Sequence, residues 1–149
     1  MKIYKNILKE KEKIKILNLI KKEVKDLGDN HPGLQTPSNM HIRPEMKPFV
    51  EAVQKYIKPY QIFKCWGVCS VGDTICWHTH PDSRCSFVYY LHNPTEDGIM
   101  FLESSANYDV VKHTKGIENS MLEFENFKKH STPLTAKKIK RYTIALEVI

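Results

Sequence analysis

At 149 residues, with 41% hydrophobic and 27% charged residues, the chain has room for one domain with its own apolar core and little room for a second. No apolar run approaches bilayer length, and the lysine-punctuated N-terminus lacks the apolar stretch of a secretory signal, so a cytoplasmic protein without membrane contact is expected. The net charge of +6 belongs to residues 1–25, where nine Lys meet three Glu. The rest of the chain is balanced, which argues against a nucleic-acid-binding body.

Residues 5–27 predict an amphipathic helix, with Ile7, Ile14, Leu17, Ile20, Val24 and Leu27 near helical spacing. Gly28-Asp29-Asn30 stops it. Residues 29–44 are rich in Pro and His and lack apolar periodicity, so they read as a long loop, either a lid over a site or a packed connector. A second helix is predicted over 45–58, with Met46, Phe49, Val50, Val53, Tyr56 and Ile57 on one side.

Beyond residue 58 the period changes. QIFKCWGVCSV, TICWHTH, RCSFVYYLH, GIMFLES, NSMLEFE and RYTIALEVI are short segments rich in β-branched and aromatic residues, punctuated by turn signals. Helices followed by closely spaced strands predict a mainly β domain with an N-terminal helical layer (1–58) on a jelly-roll core (59–149), the double-stranded β-helix or cupin-like architecture. Cys65 and Cys69 fall on alternating strand positions and read as buried free thiols. Cys76 and Cys85 complete no familiar zinc spacing.

The chemistry concentrates in Trp77-His78-Thr79-His80. Side chains two apart on a strand share a face, so His78 and His80 can both offer imidazole to one metal ion. With Gly72 the pattern becomes G-x5-H-x-H, like the first metal motif of cupins. The Glu expected four or five residues later is absent, its positions held by Arg84 and Cys85. A solvated strand face is the competing reading of the pair. His130, after the NSMLEFE strand, returns to the same end of a jelly roll. Arg141 then opens the last strand, with Thr143 two residues on. Imidazoles suit Fe(II), and Arg suits a bidentate grip on a carboxylate, a solvated strand position being the competing reading of Arg141. Tyr89 and Tyr90 alternate on one strand, so one of them faces the barrel interior. Trp66 and Trp77 read either as lining of a substrate pocket or as packing, with packing favoured. His31, His41, His92 and His113 lack partner spacing, and Lys137, Lys138 and Lys140 form a short basic run too small to bind nucleic acid alone.

The segment WHTHPDSRCSFVYYLHNPTEDGIMFLES, with His130-Ser131-Thr132-Pro133 and RYTIALEV, resembles a family of small 2-oxoglutarate/Fe(II) oxygenases of bacteria and tailed phages, distant relatives of prolyl hydroxylases. The likeness spans roughly residues 60–149. It implies a double-stranded β-helix binding Fe(II) and 2-oxoglutarate, with molecular oxygen as co-substrate and decarboxylation to succinate coupled to oxidation of a small molecule or protein side chain. A homodimer is compatible with it. By position, His78 and His130 would ligate iron, and Arg141 would pair with the distal carboxylate of 2-oxoglutarate. Thr143, on the Arg141 strand face, is read as a second donor, and Tyr90 either as a phenol hydrogen-bonded to 2-oxoglutarate or as core packing. Commoner relatives carry Asp or Glu two residues after the first His, where this chain has His80. Two registers therefore compete: a three-histidine site of His78, His80 and His130, or a site in which His80 and Asp82 form the pair. The Gly72 spacing and the turn expected at Pro81 favour the first. A cupin-type metalloenzyme without 2-oxoglutarate and a non-catalytic jelly-roll module are the alternative functions.

Overall fold

A computed structural model describes residues 1–26, 34–72, 75–134 and 139–149. In chain order they form β1 (Lys2–Lys5), α1 (Glu10–Glu23), β2 (Lys25–Asp26), β3 (Leu34–Gln35), 3-10 turns at Met40–Ile42 and Pro44–Met46, α2 (Lys47–Ile57), β4 (Ile62–Val71), β5 (Cys85–His92), β6 (Asp97–Ser104), β7 (Asp109–Lys115), β8 (Ser120–Glu125), β9 (His130–Ser131) and β10 (Lys140–Val148). A seven-stranded sheet has the order β1-β8-β5-β10-β4-β3-β2, and a three-stranded sheet the order β7-β6-β9. Every named strand pairing is antiparallel.

The predicted helical layer is present in altered form. Instead of one helix from residue 5, the chain opens with β1, which adds to the edge of the large sheet beside β8. Asn6 adopts a left-handed φ of 56° that ends the strand. The Asn119 side chain then ties down both backbone groups of Leu8, and Glu12 accepts from the Lys9 N–H to close the first turn of α1. The buried stripe of α1 is Ile16, Leu19 and Ile20 with the stem of Lys13, while Ile14, expected inside, is 51% exposed. That face was set by docking onto the sheet, where Gly67 leaves room for Ile20. The second helix is three residues shorter than 45–58, starting at Lys47 and ending at Ile57. Phe49, Val53 and Ile57 are buried, as their spacing predicts.

Pairing registers fix which residues share a face of the large sheet. Ile144 lies opposite Gly67 on one side and Tyr89 on the other. These residues, with Cys65, Cys69, Phe87 and Leu91, turn toward α1 and α2 and form the main core. Each fully buried aliphatic or aromatic side chain there contributes roughly 1.5–3 kcal/mol. On the other face, Arg141 lies opposite Ser70, Thr143 opposite Val68 and Tyr90, and Glu147 opposite Lys64 and Ser86. That face looks into the barrel, which a smaller cluster of Tyr90, Ile99, Phe101, Leu122 and Phe124 closes against the second sheet.

Two strand expectations change. The TICWHTH segment is no regular strand in its described part. His78 makes an isolated bridge to His130, exchanging two backbone hydrogen bonds of 3.0 Å. The neighbouring backbone groups go elsewhere: Ile75 N–H to the Thr132 hydroxyl, His80 N–H to the Asn126 carbonyl. Conversely, β7 was not anticipated. Six of its seven residues are exposed, so it carries no buried alternation to read.

Candidate metal centre and anion site

The bridge between His78 and His130 brings two distant segments together, and His80 follows two residues later. One ligating nitrogen from each of the three rings lies within 4.8 Å of the others. His80 Nε2 and His130 Nε2 are 3.3 Å apart. Two nitrogens held about 2.1 Å from one ion are roughly 3.0–3.4 Å apart, so this separation suits adjacent ligands of a single cation.

Each ring is oriented through its other nitrogen. His78 Nδ1 donates to the Cys76 carbonyl at 2.7 Å, and His130 Nδ1 to the Lys128 carbonyl at 2.9 Å. His80 Nδ1 donates to Glu147 Oε1 at 2.7 Å. Carbonyls and carboxylates only accept, so these nitrogens carry hydrogens, and each Nε2 is the nitrogen left to face a metal. The 3.3 Å between His80 Nε2 and His130 Nε2 is bridged by a shared hydrogen in the metal-free protein or by a cation held between them. Burial, reinforced by His78 and His80, pushes the His130 pKa down to about 4 against a smaller opposing effect of the Lys128 carbonyl, which keeps that ring neutral and able to ligate. A divalent transition metal fits both features, and the donor set suits iron, zinc or nickel.

The same cavity, about 300 Å³ in volume, is lined by Arg141, Thr143 and Tyr90. Arg141 is only 3% exposed. Its guanidinium reaches the Asp97 carbonyl at a long 3.4 Å, and its Nε has no hydrogen-bond partner among the described residues. Burial lowers its pKa, while Tyr90 and Asp97 pull it back up. The group stays charged, and a buried guanidinium without a carboxylate is costly unless a ligand supplies one. Tyr90 Oη accepts from the Ile99 N–H at 3.1 Å. Burial raises its pKa, so it keeps a proton to donate. Ser86 Oγ, also buried in the cavity wall, has no partner among the described residues.

The six residues singled out from the sequence thus line one cavity. Asp82 does not join them: it is exposed on the turn after Pro81, and the cluster is formed by His80. Tyr89 faces the helices, leaving Tyr90 inside. Trp66, expected to pack, lines the cavity 6.1 Å from the His80 ring, whereas Trp77 does not. Gln35, from the 29–44 segment, also lines it. Residues 27–33, with His31, and residues 135–138, with Lys137 and Lys138, lie outside the described residues. Among the described residues no helix is long and apolar enough to cross a membrane. Glu147 and Ser86 were not read from the sequence. The signal for Glu147 was its place in the alternation Arg141, Thr143, Ala145, Glu147, as the acid in an otherwise apolar strand end.

No protein-family model matches the chain, and no curated protein matches it by sequence. Solved structures do match in fold. A prolyl hydroxylase from Trichoplax adhaerens, in complex with a hypoxia-inducible-factor peptide fragment, superimposes with a TM-score of 0.69 at 20% identity, covering 99% of this chain and 82% of that one. HygX from Streptomyces hygroscopicus, with nickel and 2-oxoglutarate bound, gives 0.72 at 10% identity, with 98% and 81% covered. A prolyl-4-hydroxylase from Pseudomonas putida gives 0.69 at 12% identity, with 99% and 90% covered. The chain therefore has the double-stranded β-helix fold of the 2-oxoglutarate/Fe(II) oxygenases.

Proposed function

We propose that the protein is a 2-oxoglutarate- and Fe(II)-dependent oxygenase, in which His78, His80 and His130 hold the metal and Arg141 holds the distal carboxylate of 2-oxoglutarate. The observation that carries this reading is one cavity joining a cation-ready cluster to an anion-ready side chain. Three imidazole nitrogens gathered within 4.8 Å suit one cation, and a buried guanidinium whose Nε has no partner among the described residues calls for an anion. When bound, iron and 2-oxoglutarate supply the oxidising chemistry, with molecular oxygen consumed and succinate released. The chain's own residues bind and orient. Arg141 offers a planar fork to a carboxylate, and Thr143 and Tyr90 offer hydroxyls to the same acid. Phe124, whose ring meets His130 at 4.7 Å, shields that ligand from water.

A cavity of about 300 Å³ is at the small end for ligand sites. It suits a small diacid together with one projecting group of a substrate, which fits a protein side chain or a small molecule presented end-on. A cupin-type three-histidine enzyme without 2-oxoglutarate has one observation in its favour, the all-imidazole donor set. It leaves Arg141 buried without an anion. Incubation with Fe(II), 2-oxoglutarate and oxygen separates the two. Succinate formed by the wild type and lost in both His130→Ala and Arg141→Met is the expected result. No succinate from iron-loaded wild type would overturn the oxygenase reading.

A further inference from the structure

Of the three rings, two are oriented by neutral backbone carbonyls and one, His80, by a carboxylate. Glu147 is 4% exposed and reaches His80 from β10, across the barrel face from Ser86 and Lys64. Burying a carboxylate is expensive, and the partner on its other oxygen is weak: Lys64 Nζ stands 3.6 Å from Oε2 and is 39% exposed. The short contact is the one to the imidazole, at 2.7 Å.

Charge explains what the contact can do. A divalent ion held by two histidines and one carboxylate has a net charge of about +1, whereas three neutral imidazoles leave about +2. We infer that Glu147 is the positioning residue of the metal centre, returning that missing negative charge through the His80 ring instead of by direct ligation. Accepting the Nδ1 hydrogen fixes the tautomer, aims Nε2 at the metal and makes it a stronger donor. His80 is thereby the strongest of the three ligands. The inference rests on the three-histidine reading of the site.

Co(II) titration of the purified chain tests it. Glu147→Gln keeps the volume and an acceptor oxygen but loses the charge. Its Co(II) affinity should fall by about 10–100-fold, the range for removing such a partner. In the iron-loaded protein the Fe(III)/Fe(II) midpoint potential should move positive, because a nearby carboxylate favours the ferric ion. Lys64→Met separates this role from a structural ion pair. If Glu147 served only to pair with Lys64, both variants would lose metal alike; the inference expects Lys64→Met to bind Co(II) at least as tightly as wild type. Wild-type affinity and potential in Glu147→Gln would overturn the inference alone, provided that His130→Ala still abolishes uptake. A wild type that takes up no Co(II) overturns the three-histidine site and the inference with it.

Discussion

The two faces of the large sheet are built from the same strands and differ in almost every other respect. Toward the helices, Cys65, Tyr89, Ile144 and Leu146 form a continuous apolar layer at 0–1% exposure. Toward the barrel, their alternating neighbours Ser86, Tyr90, Arg141, Thr143 and Glu147 place hydroxyls, a guanidinium and a carboxylate around a cavity or behind its histidine cluster. One face gains stability from contact. The other gives up stability to keep polar groups waiting for partners, which is what a preorganised site requires.

Substitutions on the two faces should therefore separate folding from ligand binding. Ile144→Ala leaves a cavity between Gly67 and Tyr89 and should cost about 2–5 kcal/mol in urea unfolding, with 2-oxoglutarate affinity per folded molecule unchanged. Arg141→Met should do the reverse. Loss of a buried charge partner should cost about 2–5 kcal/mol of 2-oxoglutarate binding by calorimetry. The metal-free protein should be no less stable, since an unpaired buried charge has gone. Gly67→Ala would set a Cβ within 2.8 Å of Ile20, and overpacking under α1 should lower stability by about 1–3 kcal/mol. Smallest is Ser86→Ala. It removes a buried hydroxyl without a partner among the described residues and should be neutral or stabilising by about 1 kcal/mol in thermal unfolding. A stability loss in Arg141→Met as large as in Ile144→Ala would break the contrast.

How much of this was legible depended on whether the signal was local. Alternation along RYTIALEVI and RCSFVYYLH gave β10 and β5 nearly to the residue, and hence Arg141, Thr143 and the choice of one tyrosine. His78 and His80 were legible as a pair, although the strand meant to align them is a single bridge. Their convergence is fixed instead by hydrogen bonds to His130 and Asn126. β1 escaped because a lysine-rich segment becomes a strand only when the edge of β8 is there to pair with it. Glu147 escaped for a related reason: its role belongs to His80, and nothing within a strand period of either residue names the other. The position of Trp66 on the cavity wall likewise depends on which face β4 presents, which its apolar run leaves open.

The central claim is that one cavity holds a metal on three histidines and a dicarboxylate on Arg141. Anaerobic titration of the Fe(II)-loaded protein with 2-oxoglutarate, followed in the visible spectrum, tests it most directly. A weak charge-transfer band that saturates with 2-oxoglutarate, and needs far higher concentrations in Arg141→Met, is the predicted result. Bound iron with no such band, or a band indifferent to Arg141, would contradict it.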